Sequence, residues 1–317
     1  MDQNPPLTVD QVIQRRRALT PDEPIIAYPS SGIEYVDYTI IQLDSYAYNA
    51  ARHYAELVPQ RSSSVETPRV VGLLGLSNLD YVVSILALIK LGHTVLFLSP
   101  RISRDAYVSL LQATGCRAVL ASEQSRRVVE DLRDSHFADL QVYDFAGVSQ
   151  YDQALDPGQS TRMDLHLDLD QENKYVNWII HSSGSTSLPR PVYLTHRALI
   201  NNWKAHNFNM KAYITAPLYH SHGVGSLFKT FYTGKQAHLY NADLPMASKY
   251  LTGTLKEHTF EIVHIVPYSL KLLVESDEAV DLLAACRTVM FGGSACPDAL
   301  GDHLVSRGVN LVSHYGT

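Results

Sequence analysis

The chain has 317 residues, of which 45% are hydrophobic and 18% are charged, and its formal net charge is −6. This composition is typical of a globular protein, and the length favours two packed subdomains. The net negative charge gives no general attraction to nucleic acid or to an anionic membrane. There is no apolar run of about 18 residues and no signal-peptide pattern. We therefore expect a cytoplasmic protein that binds neither nucleic acid nor membranes.

The three cysteines are odd in number and lack CxxC spacing, which argues against both a disulfide framework and a zinc site. Residues 1–24 contain four prolines and are predicted to be a loose lead-in with a short amphipathic helix at 9–17. Two strands at 25–28 and 33–38, separated by Pro-Ser-Ser-Gly, then predict a hairpin. An apolar stripe at helical spacing predicts a core helix after it.

From residue 69 onward, apolar runs alternate with amphipathic segments. Strands are predicted at 70–76, 93–98, 117–121, 140–145, 176–180, 212–216, 236–240, 261–265, 288–291 and 310–313. Helices are predicted at 78–91, 103–114, 123–134, 196–206, 222–232, 246–258 and 297–307, and another is predicted to begin at Pro267. Ser77 is predicted to cap the first helix, and 147–172 is predicted to be a connecting loop. Such alternation predicts an α/β fold of mostly parallel sheets flanked by helices.

Six small or hydroxyl-bearing residues, 182–187, follow the apolar run 176–180 directly. Backbone N–H groups and hydroxyls that converge in such a loop, with Arg190 close behind, suit a polyphosphate. The same cluster taken alone also suits an ordinary polar turn. It matches neither G-x-x-x-x-G-K-[ST] nor G-x-G-x-x-G.

The longer stretch SSGSTSLPRPVYLTHR, at 182–197, resembles the signature of the adenylate-forming (AMP-binding) superfamily. Ser187 stands where that family usually has glycine, and Arg190 stands where it usually has lysine. Arginine keeps the charge, whereas a side chain at 187 resists a positive φ. PLYHSHG at 217–223, FGGSACPDAL at 291–300 and HYGT at 314–317 resemble later segments of the same family in the expected order.

The resemblance implies a set of binding residues. ATP phosphates would be held, with Mg²⁺ bridging, by Ser182, Ser183, Gly184, Ser185, Thr186 and Arg190. Adenine would contact Gly292, Gly293, Ser294, Tyr315, Gly316 and Thr317. The acyl group would face His220, Gly223, Gly225 and Val266. His222 is interpreted as a loop histidine, and the His-x-His pair lacks a nearby carboxylate or cysteine, so no protein metal site is assigned.

The implied reaction joins a small carboxylic acid, aryl or aliphatic, to ATP, giving an acyl-adenylate that a thiol then accepts from a phosphopantetheine carrier domain or CoA. The segment AYPSSGIEYVDYTIIQLDSYAYNAARHYA resembles fungal carboxylate reductases related to non-ribosomal peptide synthetases. The family's catalytic lysine and C-terminal lid would lie beyond residue 317, so 25–317 is expected to be an incomplete adenylation domain with impaired activity. A fragment of a stand-alone acyl-CoA ligase and a non-catalytic remnant of the fold are the alternatives.

Overall fold

The computed structural model describes residues 5–155, 159–163, 165, 167–182 and 188–315. The helices are α1 (Val9–Leu19), α2 (Ile40–Ala55), α3 (Leu79–Lys90), α4 (Arg104–Thr114), α5 (Glu123–His136), α6 (Val148–Tyr151), α7 (Leu169–Glu172), α8 (His196–Ala205), α9 (Ser221–Thr233), α10 (Ser248–Glu257), α11 (Pro267–Leu273), α12 (Asp277–Ala284) and α13 (Asp298–Ser306). The strands are β1 (Pro24–Ser31), β2 (Glu34–Thr39), β3 (Val70–Leu74), β4 (Thr94–Leu98), β5 (Ala118–Ala121), β6 (Gln141–Asp144), β7 (Val176–His181), β8 (Pro191–Thr195), β9 (Ala212–Ile214), β10 (Ala237–Leu239), β11 (Ile262–Ile265), β12 (Thr288–Gly292) and β13 (Leu311–His314).

Unit 1 comprises Met1–Asp22 and Ile40–His206 and is built on a six-stranded sheet in the order β6-β5-β3-β4-β7-β8. The pairs from β6 to β7 are parallel, and β8 runs antiparallel to β7 at the edge. All five residues of β4 are buried, as expected for a strand covered on both faces. Helix α1, which lies in the predicted lead-in, begins with a capping box at Thr8 and buries Val9, Val12 and Ile13.

Unit 2 comprises Glu23–Thr39 and Asn207–Thr317 and is built on a seven-stranded sheet in the order β13-β12-β11-β9-β10-β1-β2. Its strands pair in parallel, except for the antiparallel hairpin β1–β2. The predicted hairpin is therefore confirmed, and β1 pairs with β10 from the far end of the sequence. One core packs Tyr213, Val263, Leu270, Leu283 and Val289 between this sheet and its helices.

The predicted α/β class with mostly parallel sheets and flanking helices is confirmed. Four details differ from the sequence prediction. Asn78, rather than Ser77, caps α3, since its side chain accepts a hydrogen bond from the Tyr81 N–H. Helix α12 and the antiparallel strand β8 were not predicted, and the connection at 147–172 contains the short helices α6 and α7. None of the helices in the described part of the chain has the length and apolar character that a membrane crossing requires.

Candidate functional site

The predicted phosphate loop connects β7 to β8 in unit 1, and its base is closed by two hydrogen bonds. The Ser182 N–H donates to the Arg190 carbonyl oxygen over 3.1 Å, and the Arg190 N–H donates to Ser182 Oγ over 3.0 Å. Both residues are exposed. The remaining predicted phosphate-binding residues, Ser183, Gly184, Ser185 and Thr186, lie outside the described residues. The connection between the two strand ends is thus closed at its base by Ser182 and the backbone of Arg190.

His181, the last residue of β7, orients this base, and sequence reasoning assigned it no role. Its Nδ1–H donates to the Ser182 carbonyl over 2.8 Å, and its Nε2 accepts from the Ser99 N–H over 3.2 Å. Because a backbone N–H can only donate and a carbonyl can only accept, these partners define the neutral tautomer. Burial lowers the pKa of the imidazole, which agrees with that neutral form. The sequence did carry a signal for this role, namely a histidine at the end of an apolar strand and directly before the loop.

In unit 2, the carboxyl ends of β11, β12 and β13 bring several predicted residues together. Val266 follows β11, Gly292 ends β12, and a Cβ built on Gly293 would lie 3.9 Å from Val266 Cγ1. Gly293 has φ of +89°, which favours glycine. In open α/β sheets, ligands bind outside the carboxyl ends of the strands. The predicted adenine and acyl positions therefore share the edge at which a ligand is expected.

The exposed residues of the adenine prediction lie next to this edge. Ser294 is exposed, and Tyr315 is 90% exposed directly after β13. An aromatic side chain so exposed has a ring face free to stack on a flat ligand. Gly316 and Thr317, which were also predicted to contact adenine, lie outside the described residues.

The start of α9 carries three of the predicted acyl-pocket residues. His220 is the N-cap and is half-buried. A Cβ on Gly223 would lie 2.6 Å from the Ala216 carbonyl oxygen, so this glycine lets the helix pack against the chain's own backbone. A Cβ on Gly225 would meet nothing within 4 Å. Of the two glycines, only Gly225 borders open space.

A cluster of histidines that sequence reasoning did not assemble lies at the same edge. His222 Nε2 is 3.3 Å from His264 Nδ1, and Ser226 Oγ is 3.1 Å from that same Nδ1. The His222 ring also packs edge-on against His314, with ring centroids 5.2 Å apart. Burial lowers the pKa of His222 to about 4 and that of His264 well below its ordinary value. Both imidazoles are therefore neutral near pH 7.

Metal binding by protein side chains alone does not fit the described residues. Within the ranges given above, no group of three or more histidine, cysteine, aspartate or glutamate side chains is arranged to hold an ion.

Similarity to known proteins extends over nearly the whole chain. The sequence profile of AMP-binding enzymes matches residues 13–317. A non-canonical non-ribosomal peptide synthetase, ascB, from Acremonium egyptiacum is 29% identical over 262 residues, and an adenylate-forming reductase from Aspergillus terreus is 26% identical over 257 residues. These alignments cover 78% and 76% of this chain but 23% and 24% of the relatives, so the chain spans about a quarter of their length.

A solved structure shows the same fold. The anthranilate CoA ligase AuaEII, in complex with anthranoyl-AMP, superposes with a TM-score of 0.77 at 15% identity, covering 98% of this chain and 59% of the ligase. At this level of sequence identity, the match supports a shared fold and nothing about function. Because the profile spans residues 13–317 and the fold agrees, the chain belongs to the AMP-binding family of adenylate-forming enzymes.

Proposed function

We propose that this chain binds ATP and a small carboxylic acid and forms an acyl-adenylate. A carboxylate oxygen attacks the α-phosphorus of ATP, the bond from that phosphorus to the bridging oxygen breaks, and pyrophosphate leaves with the electron pair. Such a displacement depends mainly on positioning and on neutralising charge. Mg²⁺ accompanies ATP in this proposal, bound to the phosphates.

The closed base of the β7–β8 connection is the observation that carries the proposal. The backbone of Arg190 bonds to both the backbone and the side chain of Ser182, which brings Arg190 to the start of the small-residue segment. Arginine is suited to phosphate because its planar fork can donate two hydrogen bonds at once. We assign the β- and γ-phosphates to this loop, adenine to Gly292, Gly293, Ser294 and Tyr315, and the acyl group to the edge beside Val266 and Gly225.

The role of this chain within a longer, multidomain protein is proposed from its relatives. A non-ribosomal peptide synthetase and an adenylate-forming reductase support a role as the adenylation part of a multidomain, synthetase-like carboxylate reductase. The acyl group would then pass to the thiol of a phosphopantetheine carrier domain, forming a thioester and releasing AMP. CoA is the alternative acceptor, and added carrier domain or CoA would distinguish the two by the thioester formed.

The nucleotide assignment is tested by titrating the 317-residue chain with ATP and, separately, with AMP in a calorimeter. Arg190→Ala should weaken ATP binding about tenfold or more, because charge-assisted hydrogen bonds contribute about 1.5–3 kcal/mol. AMP binding should be unchanged, since AMP lacks the β- and γ-phosphates. Arg190→Lys should retain part of the ATP affinity because it keeps the charge without the fork.

Arg197→Ala is the matched control, because Arg197 is also an exposed arginine of unit 1 but lies in α8. It should leave both affinities at the wild-type value. A loss of ATP and AMP binding of equal size in Arg190→Ala would contradict the phosphate role. Absence of binding of either nucleotide to the wild-type chain would contradict the proposed function.

A further inference from the structure

Unit 1 contains a cavity of about 300 Å³, and its described lining residues are all distinct from those assigned to ATP and to the acid. It lies between α1, the end of α3, the connection at 162–169 and the first residue of α8. Burial raises the pKa of the lining residue Asp10, although 37% of its side chain is accessible, as expected for a carboxyl group that faces a recess. Sites for small ligands begin at about this volume, so a ligand that fits would be compact.

One wall of the cavity is a row of apolar side chains. Met163, Leu165, Leu167 and Leu169 occupy alternate positions of the connection, and all four line the cavity. The first three are half-buried, and Leu169 is 38% exposed. Because these side chains border open space, an apolar ligand body placed against them would remove their surface from water, which is favourable.

A buried hydrogen-bond donor also lines the cavity. His196 is 8% exposed, and its Nδ1 accepts from the Val9 N–H over 3.0 Å, so the neutral ring carries its proton on Nε2. Burial lowers the pKa of this imidazole to about 3, which agrees with the neutral form. The described part of the chain gives the Nε2–H no acceptor. A ligand oxygen in the cavity would supply one and relieve the cost of an unpaired buried donor.

The linked charges at the cavity leave one positive charge in excess. Asp44 is fully buried and pairs with Arg17 over 3.1 Å and with Lys90 over 2.5 Å, and Lys90 lies 3.9 Å from Asp10. Arg162 is an exposed lining residue that forms no ion pair with any described side chain. Three cationic side chains therefore accompany two carboxylates.

Glu172 is the other carboxylate that lines the cavity, and it does not change this balance. Its oxygens accept from the Arg61 guanidinium over 2.8 and 2.9 Å, so its charge is already paired. The excess positive charge favours a ligand that carries one negative charge.

We propose that this cavity is a second ligand site, separate from the nucleotide site, and that it binds a compact amphiphilic carboxylate such as a medium-chain fatty acid. The unpaired N–H donors of Arg162 and His196 bind the carboxylate, and the alkyl chain lies along the row from Met163 to Leu169. A cationic amphiphile of the same length is excluded by the excess positive charge. The inference does not depend on the proposed function, since it uses none of the residues assigned to ATP.

The test titrates the 317-residue chain with octanoate and with octylammonium, each below its micelle concentration, in a calorimeter. Octanoate should bind at least about tenfold more tightly, because only the anion matches the excess charge and the unused donor. Arg162→Ala should weaken octanoate binding about tenfold, since it removes a charge-assisted partner. Leu167→Trp should weaken it at least as much, because the indole fills the cavity.

Each variant has a matched control in unit 1 outside the cavity. Arg197→Ala removes another exposed arginine, and Val128→Trp places an indole at a position of α5 that is 40% exposed. Both controls should bind octanoate with the wild-type affinity, and thermal unfolding verifies that all four variants fold.

Three results would overturn the inference: no octanoate binding to the wild-type chain, equal affinity for octylammonium, or an affinity for octanoate that is unchanged in both Arg162→Ala and Leu167→Trp. The last result would mean that octanoate binds elsewhere on the chain. Titration of the same variants with ATP tests the proposed function separately, because neither substitution changes a residue assigned to the nucleotide.

Discussion

Helix α9 contains two glycines, of which one is required by backbone packing and the other is not. Gly223 is buried, and its missing Cβ leaves space for the carbonyl oxygens of Ala216 and Pro217. Gly225 is half-buried, and nothing lies within 4 Å of the position that its Cβ would occupy. The first glycine is required by packing against the chain's own backbone. The second is not required by any neighbour, which is consistent with a role in leaving room for a ligand.

Alanine at the two positions should therefore have effects of opposite sign on stability. Gly225→Ala should raise the free energy of unfolding by about 0.5–1 kcal/mol, because alanine loses less backbone entropy in a helix. Gly223→Ala should lower it by about 1–3 kcal/mol, because the new methyl group overlaps backbone atoms that cannot move freely. Urea unfolding of the two variants and the wild type gives both values. Equal stability of the two variants would contradict the packing of α9 described above.

At the scale of elements, the connection at 147–172 is tied to unit 1 by a buried ion pair. The side chains of Arg61 and Glu172, the last residue of α7, are each 2% exposed, and the guanidinium donates to both carboxylate oxygens over 2.8 and 2.9 Å. Arg61 also donates to the carbonyl oxygens of Ser63, Glu66 and Gly92. The segment that was predicted to be a loop is thus held at its end by a buried ion pair.

Glu172→Gln should lower the free energy of unfolding by about 3–5 kcal/mol, because it leaves the Arg61 charge buried without a counterion. Glu130→Gln is the matched control, since Glu130 pairs with Arg126 over 2.9 Å on the solvent side of α5. That substitution should leave the unfolding midpoint at the wild-type value, because exposed pairs contribute little. Differential scanning fluorimetry and urea titration measure the stability of both variants. Equal losses in the two variants would show that burial of the Arg61 pair has no energetic consequence.

Most elements could be predicted because their burial follows a regular period. The fully buried β4 and the helix α4, capped by Ser103 and ended by Gly115, both carry clear sequence signals. Strand β8 was missed because it begins with a proline, which suits an edge strand as well as a loop. Helix α12 was missed although Ser276 caps it and acidic residues fill its first turn.

At the scale of the whole chain, long-range pairing is what sequence reasoning could not supply. The hairpin β1–β2 joins the sheet of unit 2 through β10, which lies some 200 residues further along the chain. The histidine cluster has the same origin, since His222, His264 and His314 come from three elements that only the sheet order brings together. The motif at 182–197 was recognisable because its residues are contiguous. The histidine cluster was not, because its members lie far apart in the sequence.

Acid sensitivity should be a property of both units, because each contains buried neutral histidines. Burial lowers the pKa of His93 to about 4 and of His196 to about 3 in unit 1, and of His222 to about 4 and His238 to about 3 in unit 2. Below the unfolded pKa of about 6.5, the unfolded chain binds protons that the folded chain does not. Stability is therefore complete above that pH and falls as the pH approaches the folded values.

Urea unfolding at pH 7.5, 6.5 and 5.5 measures this dependence within a window in which carboxylates stay ionised. Each of the four histidines should contribute about 1 kcal/mol of lost stability between pH 7.5 and 5.5. His238→Leu should flatten the dependence by one histidine's share, because it removes a group that binds a proton only in the unfolded state. His136→Asn, at an exposed histidine of α5, should leave the slope as it is. A midpoint that is constant or rises toward pH 5.5 would mean that these imidazoles accept protons inside the folded chain.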